Sequence, residues 1–204
     1  MNSVLPVIYL IDDDDAVRQS LALLLSTVGM QVQAHASAEA FLLRFDPEQP
    51  GAILLDVRMP GGSGMSLLDR LMAMNVTQPV IILTGHATVD LCRRAFKSGA
   101  AEFLEKPVDD ELLIDTLQKA LRTHLLQKSR KQAERVARQR FARLSARERE
   151  VLELLVAGLT NREIGRALDL SPRTVEVHRA HLAEKLEAET LAQLVRQYAP
   201  LVEQ

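Results

Sequence analysis

Five short apolar runs, at residues 7–11, 32–35, 52–55, 80–83 and 102–104, are each separated from the next by a stretch long enough for a helix. Those stretches, at 16–28, 38–45, 64–74 and 88–98, with a last one at 110–125, carry apolar residues at helical spacing. Gly29 and Gly99 stand where helix C-caps are expected. That alternation of short runs with helices predicts strands that lie parallel, joined by crossover connections. The expected product is an α/β domain: a doubly wound five-stranded parallel sheet with helices on both faces.

The pattern changes near residue 126. Strand runs disappear, and 126–143 is rich in Gln, Lys and Arg without proline or glycine, which predicts a helical linker. Beyond it, 145–157, 161–168, 172–186 and 191–198 read as four helices separated by Gly158, by 169–171 and by 187–190. The division expected is 1–125, a linker at 126–143, and a smaller all-α domain at 144–204. With 47% hydrophobic and 25% charged residues the chain is globular rather than disordered. The N-terminus lacks a basic segment before a long apolar run, so no signal peptide or membrane span is expected. One cysteine, Cys92, forms no internal disulfide and suits a reducing cytoplasm; its expected role is packing. Charge is uneven: residues 1–126 hold 10 basic against 16 acidic side chains, 127–143 hold 7 against 1, and 144–204 hold 8 against 10.

The chemistry sits at strand ends, where an open parallel sheet forms its ligand crevice. Asp12 and Asp13 follow the first run, Asp56 the third, Thr84 the fourth and Lys106 the fifth. Clustered carboxylates repel, which calls for a cation, and an all-oxygen ligand set suits Mg²⁺. With the charge of an attacked phosphoryl group neutralised by that ion and Lys106, Asp56 becomes a nucleophile towards phosphorus, giving an aspartyl phosphate. Thr84 would then donate its hydroxyl to a phosphoryl oxygen, drawing its loop inward and vacating space for Phe103. This is a switch, not an enzyme with turnover. A phosphatase built on an aspartate nucleophile needs a second acid two residues later, and that position is Arg58.

LIDDDD, ILLDVRMPGGSG, VIILTGH and FLEKP, in that order and each at a strand end, resemble the flavodoxin-like receiver domain of two-component response regulators over nearly all of residues 6–125. The resemblance implies that a histidine kinase phosphorylates Asp56 and that Asp12, Asp13 and Asp56 bind Mg²⁺ together with the Arg58 backbone carbonyl. It also implies that Thr84, Phe103 and Lys106 carry the switch, and that the peptide before Pro107 is cis. Arg58 and His86 flank the expected phosphate. Receivers of this kind pair through the fourth helix and fifth strand, where Asp90, Arg93 and Arg94 make this chain more polar than its relatives.

In the second half, Ser145 followed by Glu148 has the spacing of a capping box, and 161–168, a three-residue turn and Ser171-Pro172 give a helix-turn-helix. LSARE, the apolar run before AGL, NREI and SPRTVEVHR resemble the DNA-binding domain of the LuxR and NarL/FixJ families, and with the receiver they resemble the FixJ-like branch. On the expected recognition helix Val175 and Leu182 face the core. The resemblance places Glu176, Val177 and Ala180 towards base edges, with Arg173, Thr174, His178 and Arg179 near phosphates. The implied partners are a histidine kinase, double-stranded DNA, a second copy when phosphorylated, and RNA polymerase. Two other readings stay open: a phosphorylation-gated protein-interaction module, and a constitutive DNA binder with a vestigial receiver.

Overall fold

The structure, a computed structural model, describes residues 5–59 and 64–202. Pro60, Gly61, Gly62 and Ser63 of the third motif lie outside the described residues. The chain divides into two compact units, Met1–Gln127 and Lys128–Gln204.

In the first unit, β1 (Val7–Ile11), β2 (Gln31–His35), β3 (Gly51–Asp56), β4 (Val80–Thr84) and β5 (Glu102–Glu105) form one sheet, all parallel, in the order β2-β1-β3-β4-β5. Every residue of β1, β3 and β4 is buried, as strands covered on both faces must be. The period of two divides them between two cores. Tyr9, Ile11, Ile53 and Leu55 pack on one face with Phe41, Leu68 and Ala95, while Ile8, Leu10, Leu54 and Ile81 pack on the other with Leu25, Leu113 and Leu117. The first face is covered by α2 (Ala38–Leu42), α3 (Gly64–Ala73) and α4 (Val89–Lys97), the second by α1 (Asp15–Thr27) and the first half of α5 (Asp110–Ala142). Gly29 and Gly99 take positive φ after α1 and α4, as expected of C-caps. Strand order reverses between β1 and β3, and the carboxyl ends there open the crevice.

Two helices that pack in this unit differ from expectation. α2 stops at Leu42 rather than at residue 45, because the Leu43 and Arg44 N–H groups turn back onto Glu39 and Phe41 and close a short last turn. α5 joins the helix expected at 110–125 to the helical linker expected after it and runs unbroken for 33 residues, since nothing between Leu125 and Ala142 breaks a helix.

The second unit is helical: the second half of α5, then α6 (Ala146–Val156), α7 (Asn161–Leu168), α8 (Pro172–Leu186) and α9 (Leu191–Val202). The stretch expected as a linker is largely part of this unit. Ala137 and Leu144 are buried in its core with Val151, Ile164, Val175, Leu182 and Tyr198, and Phe141 packs against them. Arg140 reaches the Leu186 carbonyl at 3.4 Å and pairs with the Glu187 carboxylate. The fully buried Tyr198 donates its hydroxyl to the same Leu186 carbonyl at 2.9 Å. Tyr198→Phe is therefore expected to cost about 1 kcal/mol, limited because Arg140 still serves that carbonyl; urea unfolding followed by circular dichroism checks it. Among the described residues no helix is long and apolar enough to cross a membrane.

Candidate functional site

Three carboxylates meet at the carboxyl edge of the sheet. Asp12 directly follows β1 and is 1% exposed, Asp56 ends β3 and is 8% exposed, and Asp13 faces solvent. One oxygen from each lies within 4.8 Å of the others. Lys106, in the loop after β5, bridges the two buried acids, its Nζ lying 2.5 Å from Asp12 Oδ2 and 2.7 Å from Asp56 Oδ2. The remaining oxygens are held by their own loops: Asp12 Oδ1 accepts the Asp14 N–H at 3.0 Å, and Asp56 Oδ1 accepts the Arg58 N–H at 3.0 Å. Burial alone would lower the pKa of the Lys106 ammonium, but the hydrogen bonds and charges of Asp12 and Asp56 outweigh it and raise the pKa above the ordinary lysine value.

The local backbone explains this convergence. The peptide joining Lys106 to Pro107 is cis, and the Lys106 N–H donates to the Thr84 carbonyl at 2.8 Å, tying the two loops together. At the start of α3 a Cβ on Gly64 would lie 2.1 Å from the Asp56 carbonyl oxygen, so only glycine lets that helix begin against the end of β3. Thr84 is fully buried, and its Oγ1 accepts the His86 N–H at 3.4 Å. Phe103, half-buried on β5, packs against the core face shared with Leu91 and Ala95. The side chains of Arg58 and His86 are exposed. The carboxylates fit a hard divalent cation: one oxygen from each of Asp12, Asp13 and Asp56 already converges, with no soft donor among them.

In the second unit, Ser145 and Glu148 form the expected capping box. Glu148 is buried, and besides accepting the Ser145 N–H at 2.8 Å it pairs with Lys185 of α8 at 2.7 Å. Burial pushes this carboxyl up, but the Lys185 ammonium and the Ser145 N–H and hydroxyl hold it at about 2. Helix α7 closes on Asp169 in the left-handed conformation. Gly165 is needed beside that turn, because a Cβ there would meet the Leu170 carbonyl oxygen at 2.7 Å. Ser171 then caps α8 through the Thr174 N–H at 3.0 Å, with Pro172 in the first turn. On α8, Val175 and Leu182 are buried as expected, while Arg173, Glu176, Val177 and Ala180 are exposed and Thr174, His178 and Arg179 are partly so. Arg173, Glu176, Val177 and Ala180 lie on the side away from Val175 and Leu182, while Thr174, His178 and Arg179 flank that buried face. Arg179 is engaged, however, donating to Asn161 Oδ1 at 2.5 Å.

Residues 8–118 match the response regulator receiver domain, and residues 142–198 match the luxR family of bacterial regulatory proteins. The chain is 48% identical to the transcriptional regulatory protein FixJ of Azorhizobium caulinodans over 96% of this chain and 92% of that one. It belongs to the response regulator family.

Its LuxR-type second half makes it a two-component transcriptional regulator. The tetrathionate response regulatory protein TtrR of Salmonella typhimurium is 39% identical, over 94% of this chain and 91% of that protein. Among solved structures, the response regulator StyR superposes with a TM-score of 0.83 at 35% identity, covering 96% of this chain and 99% of that one. Full-length FixJ from B. japonicum gives a TM-score of 0.60 at 43% identity, covering 95% and 96%.

Some contacts of this response regulator were missed from sequence. Arg18 donates to the Asp12 carbonyl at 2.5 Å, and the Glu105 carboxylate accepts the Ala87 N–H at 3.4 Å. Only the fold brings those pairs together. The second capping box, Thr160 with Glu163, carried the same four-residue signal as Ser145 with Glu148 and was legible. Lys185, a cation of the recognition helix, is tied to Glu148, because the last turn of α8 lies against the start of α6.

Proposed function

We propose that Asp56 of this response regulator accepts a phosphoryl group from a histidine kinase and that the phosphorylated protein pairs and binds specific DNA through α8. The observation that carries the reading is the Lys106 ammonium held between Asp12 and Asp56. An Asp56 carboxylate oxygen attacks phosphorus, the phosphorus–nitrogen bond of the phosphohistidine breaks, and the imidazole leaves with the bonding pair. Asp12, Asp13 and Asp56, with the Arg58 carbonyl, would hold Mg²⁺, which when bound supplies positive charge to phosphoryl oxygens. Lys106 supplies a second positive charge to the same group. Thr84 gives up the His86 N–H and turns its hydroxyl to the phosphoryl group, and Phe103 follows the loop inward.

The unit Met1–Gln127 then acts as the receiver, and the unit from Lys128 as the DNA reader. Pairing through α4 and β5 places two α8 helices at two half-sites, raising their effective concentration on DNA. Within each, Glu176, Val177 and Ala180 face base edges while Arg173, Thr174, His178 and Arg179 approach phosphates. Few of these are good base-edge donors, so DNA shape carries much of the preference. The protein works in the cytoplasm, and its contact at promoters is RNA polymerase.

Sedimentation in Mg²⁺ with and without beryllium fluoride, on wild type and Asp56→Asn, tests this. A monomer that dimerises with beryllium fluoride only in the wild type is expected. Identical behaviour of the two proteins in every condition would overturn the switch and favour a constitutive binder or a protein-docking module.

A further inference from the structure

The fold changes the charge of the DNA-reading unit. Counted from residue 144 to the end, that half holds 8 basic and 10 acidic side chains, an awkward balance for a protein that approaches phosphates. The compact unit begins at Lys128, however, and over 128–204 the count becomes 15 basic against 11 acidic. The second half of α5 reverses the sign.

Those cations are not evenly used. Arg140, Arg147 and Lys185 are committed to Glu187, Glu150 and Glu148. Lys131, Arg135 and Arg138, by contrast, are exposed and have no carboxylate partner among the described residues. They recur at the four- and three-residue steps that stack side chains on one helix face, and that face is opposite the one by which Ala137 and Arg140 pack into the unit. Like charges at such spacing repel, and the exposed Glu134 beside them offsets only one of the three. Glu134 is the one acid between Gln127 and Arg143. Across an open groove of about 760 Å³ between α5 and α9, Arg196 adds another positive group.

We infer that this basic face of α5 is a second DNA-contacting surface, which holds the phosphate backbone of duplex flanking the site read by α8 and carries no sequence preference. The inference rests on the DNA-binding reading above. A nucleic acid fits better than an acidic peptide because the surface around the stripe, lined by Lys131, Glu134, Arg135, Arg138, Gln139 and Ala142, has no large apolar side chain for a peptide to anchor on. A row of phosphates needs only charge.

The test uses the full-length protein with beryllium fluoride, a duplex selected from a random pool, a scrambled duplex of equal length, and the variant Lys131→Gln/Arg135→Gln/Arg138→Gln. Binding is measured as a function of salt. Each lost phosphate contact lowers the slope of log K against log salt by about 0.9, so the triple variant is expected to lose about 2.7 from the slope on both duplexes. Affinity at low salt falls by roughly tenfold or more while the ratio between the two duplexes stays constant. Circular dichroism of the variant should match wild type, since these side chains are exposed. A slope equal to wild type, with binding intact, overturns the inference and leaves the face to a protein partner or to solvent. A wild type that binds no duplex at all overturns the DNA-binding reading itself and this inference with it. A slope that falls only on the selected duplex overturns the claim of sequence independence.

Discussion

With Lys106 replaced by methionine, the receiver unit is expected to lose about 3 kcal/mol of stability in chelator-treated buffer. Asp12 and Asp56 are almost wholly buried, and each spends one oxygen on a loop N–H and the other on this ammonium. Removing the lysine leaves two close carboxylates in a poorly solvated edge with no cation between them. That uncompensated charge costs free energy relative to wild type. Adding Mg²⁺ should restore much of the loss, because a divalent ion supplies charge at the same oxygens. The measurement is the urea midpoint of the receiver's transition for both proteins, with chelator and with Mg²⁺. An unchanged midpoint in chelator would show that Lys106 is not the counter-charge to the pair.

The second large effect belongs to Glu148. Its carboxyl is held at about 2 in the folded protein against 4.5 ordinarily, so the unfolded state binds the proton more readily. A depressed folded-state value stabilises the fold above pH 4.5, and that contribution is lost as pH falls from 4.5 towards 2. Glu148→Gln removes the ion pair with Lys185 and weakens the cap on α6. At neutral pH it should cost the second unit on the order of 2 kcal/mol, a figure reduced for the solvent around the half-exposed Lys185. Between pH 4.5 and 2 the variant's stability should vary less steeply than wild type. Equal slopes would place the acid sensitivity of this unit on other carboxyl groups.

What could be foreseen depended on how far apart along the chain each interaction reaches. The alternation of Ile8 and Leu10 with Tyr9 and Ile11 is local, and it specified a strand covered on both faces. Asp12, Asp56 and Lys106 lie far apart in sequence, yet all three stand at strand ends, so the parallel topology alone sends them to one edge. The caps at Ser145 and Ser171 were equally local. Lys185 and Arg179 were harder. Nothing near them in sequence announces that Glu148 and Asn161 will claim them, since those partners arrive only through packing of α6 and α7 against α8. That the helical stretch after Leu125 packs into the second core was hidden for the opposite reason. The apolar pattern of α5 fades after Leu125 because one helix serves first one core and then another, and the faces it buries differ. At the other end of the chain α9 runs to Val202 past Pro200, which lacks the N–H that would bond the Arg196 carbonyl; with two helical residues beyond it, the loss is confined to the last turn.

That divided service of α5 determines where response regulators of this kind can be cut and rejoined. A junction placed at Leu144, where the sequence pattern turns into the helical domain, would strand Ala137, Arg140 and Phe141 on the wrong fragment and open a gap against Tyr198 and the end of α8. A junction near Gln127 carries those residues along with the core they complete. Exchange of outputs between receivers, by an engineer or by recombination, has its natural seam in the middle of a helix and not in a loop.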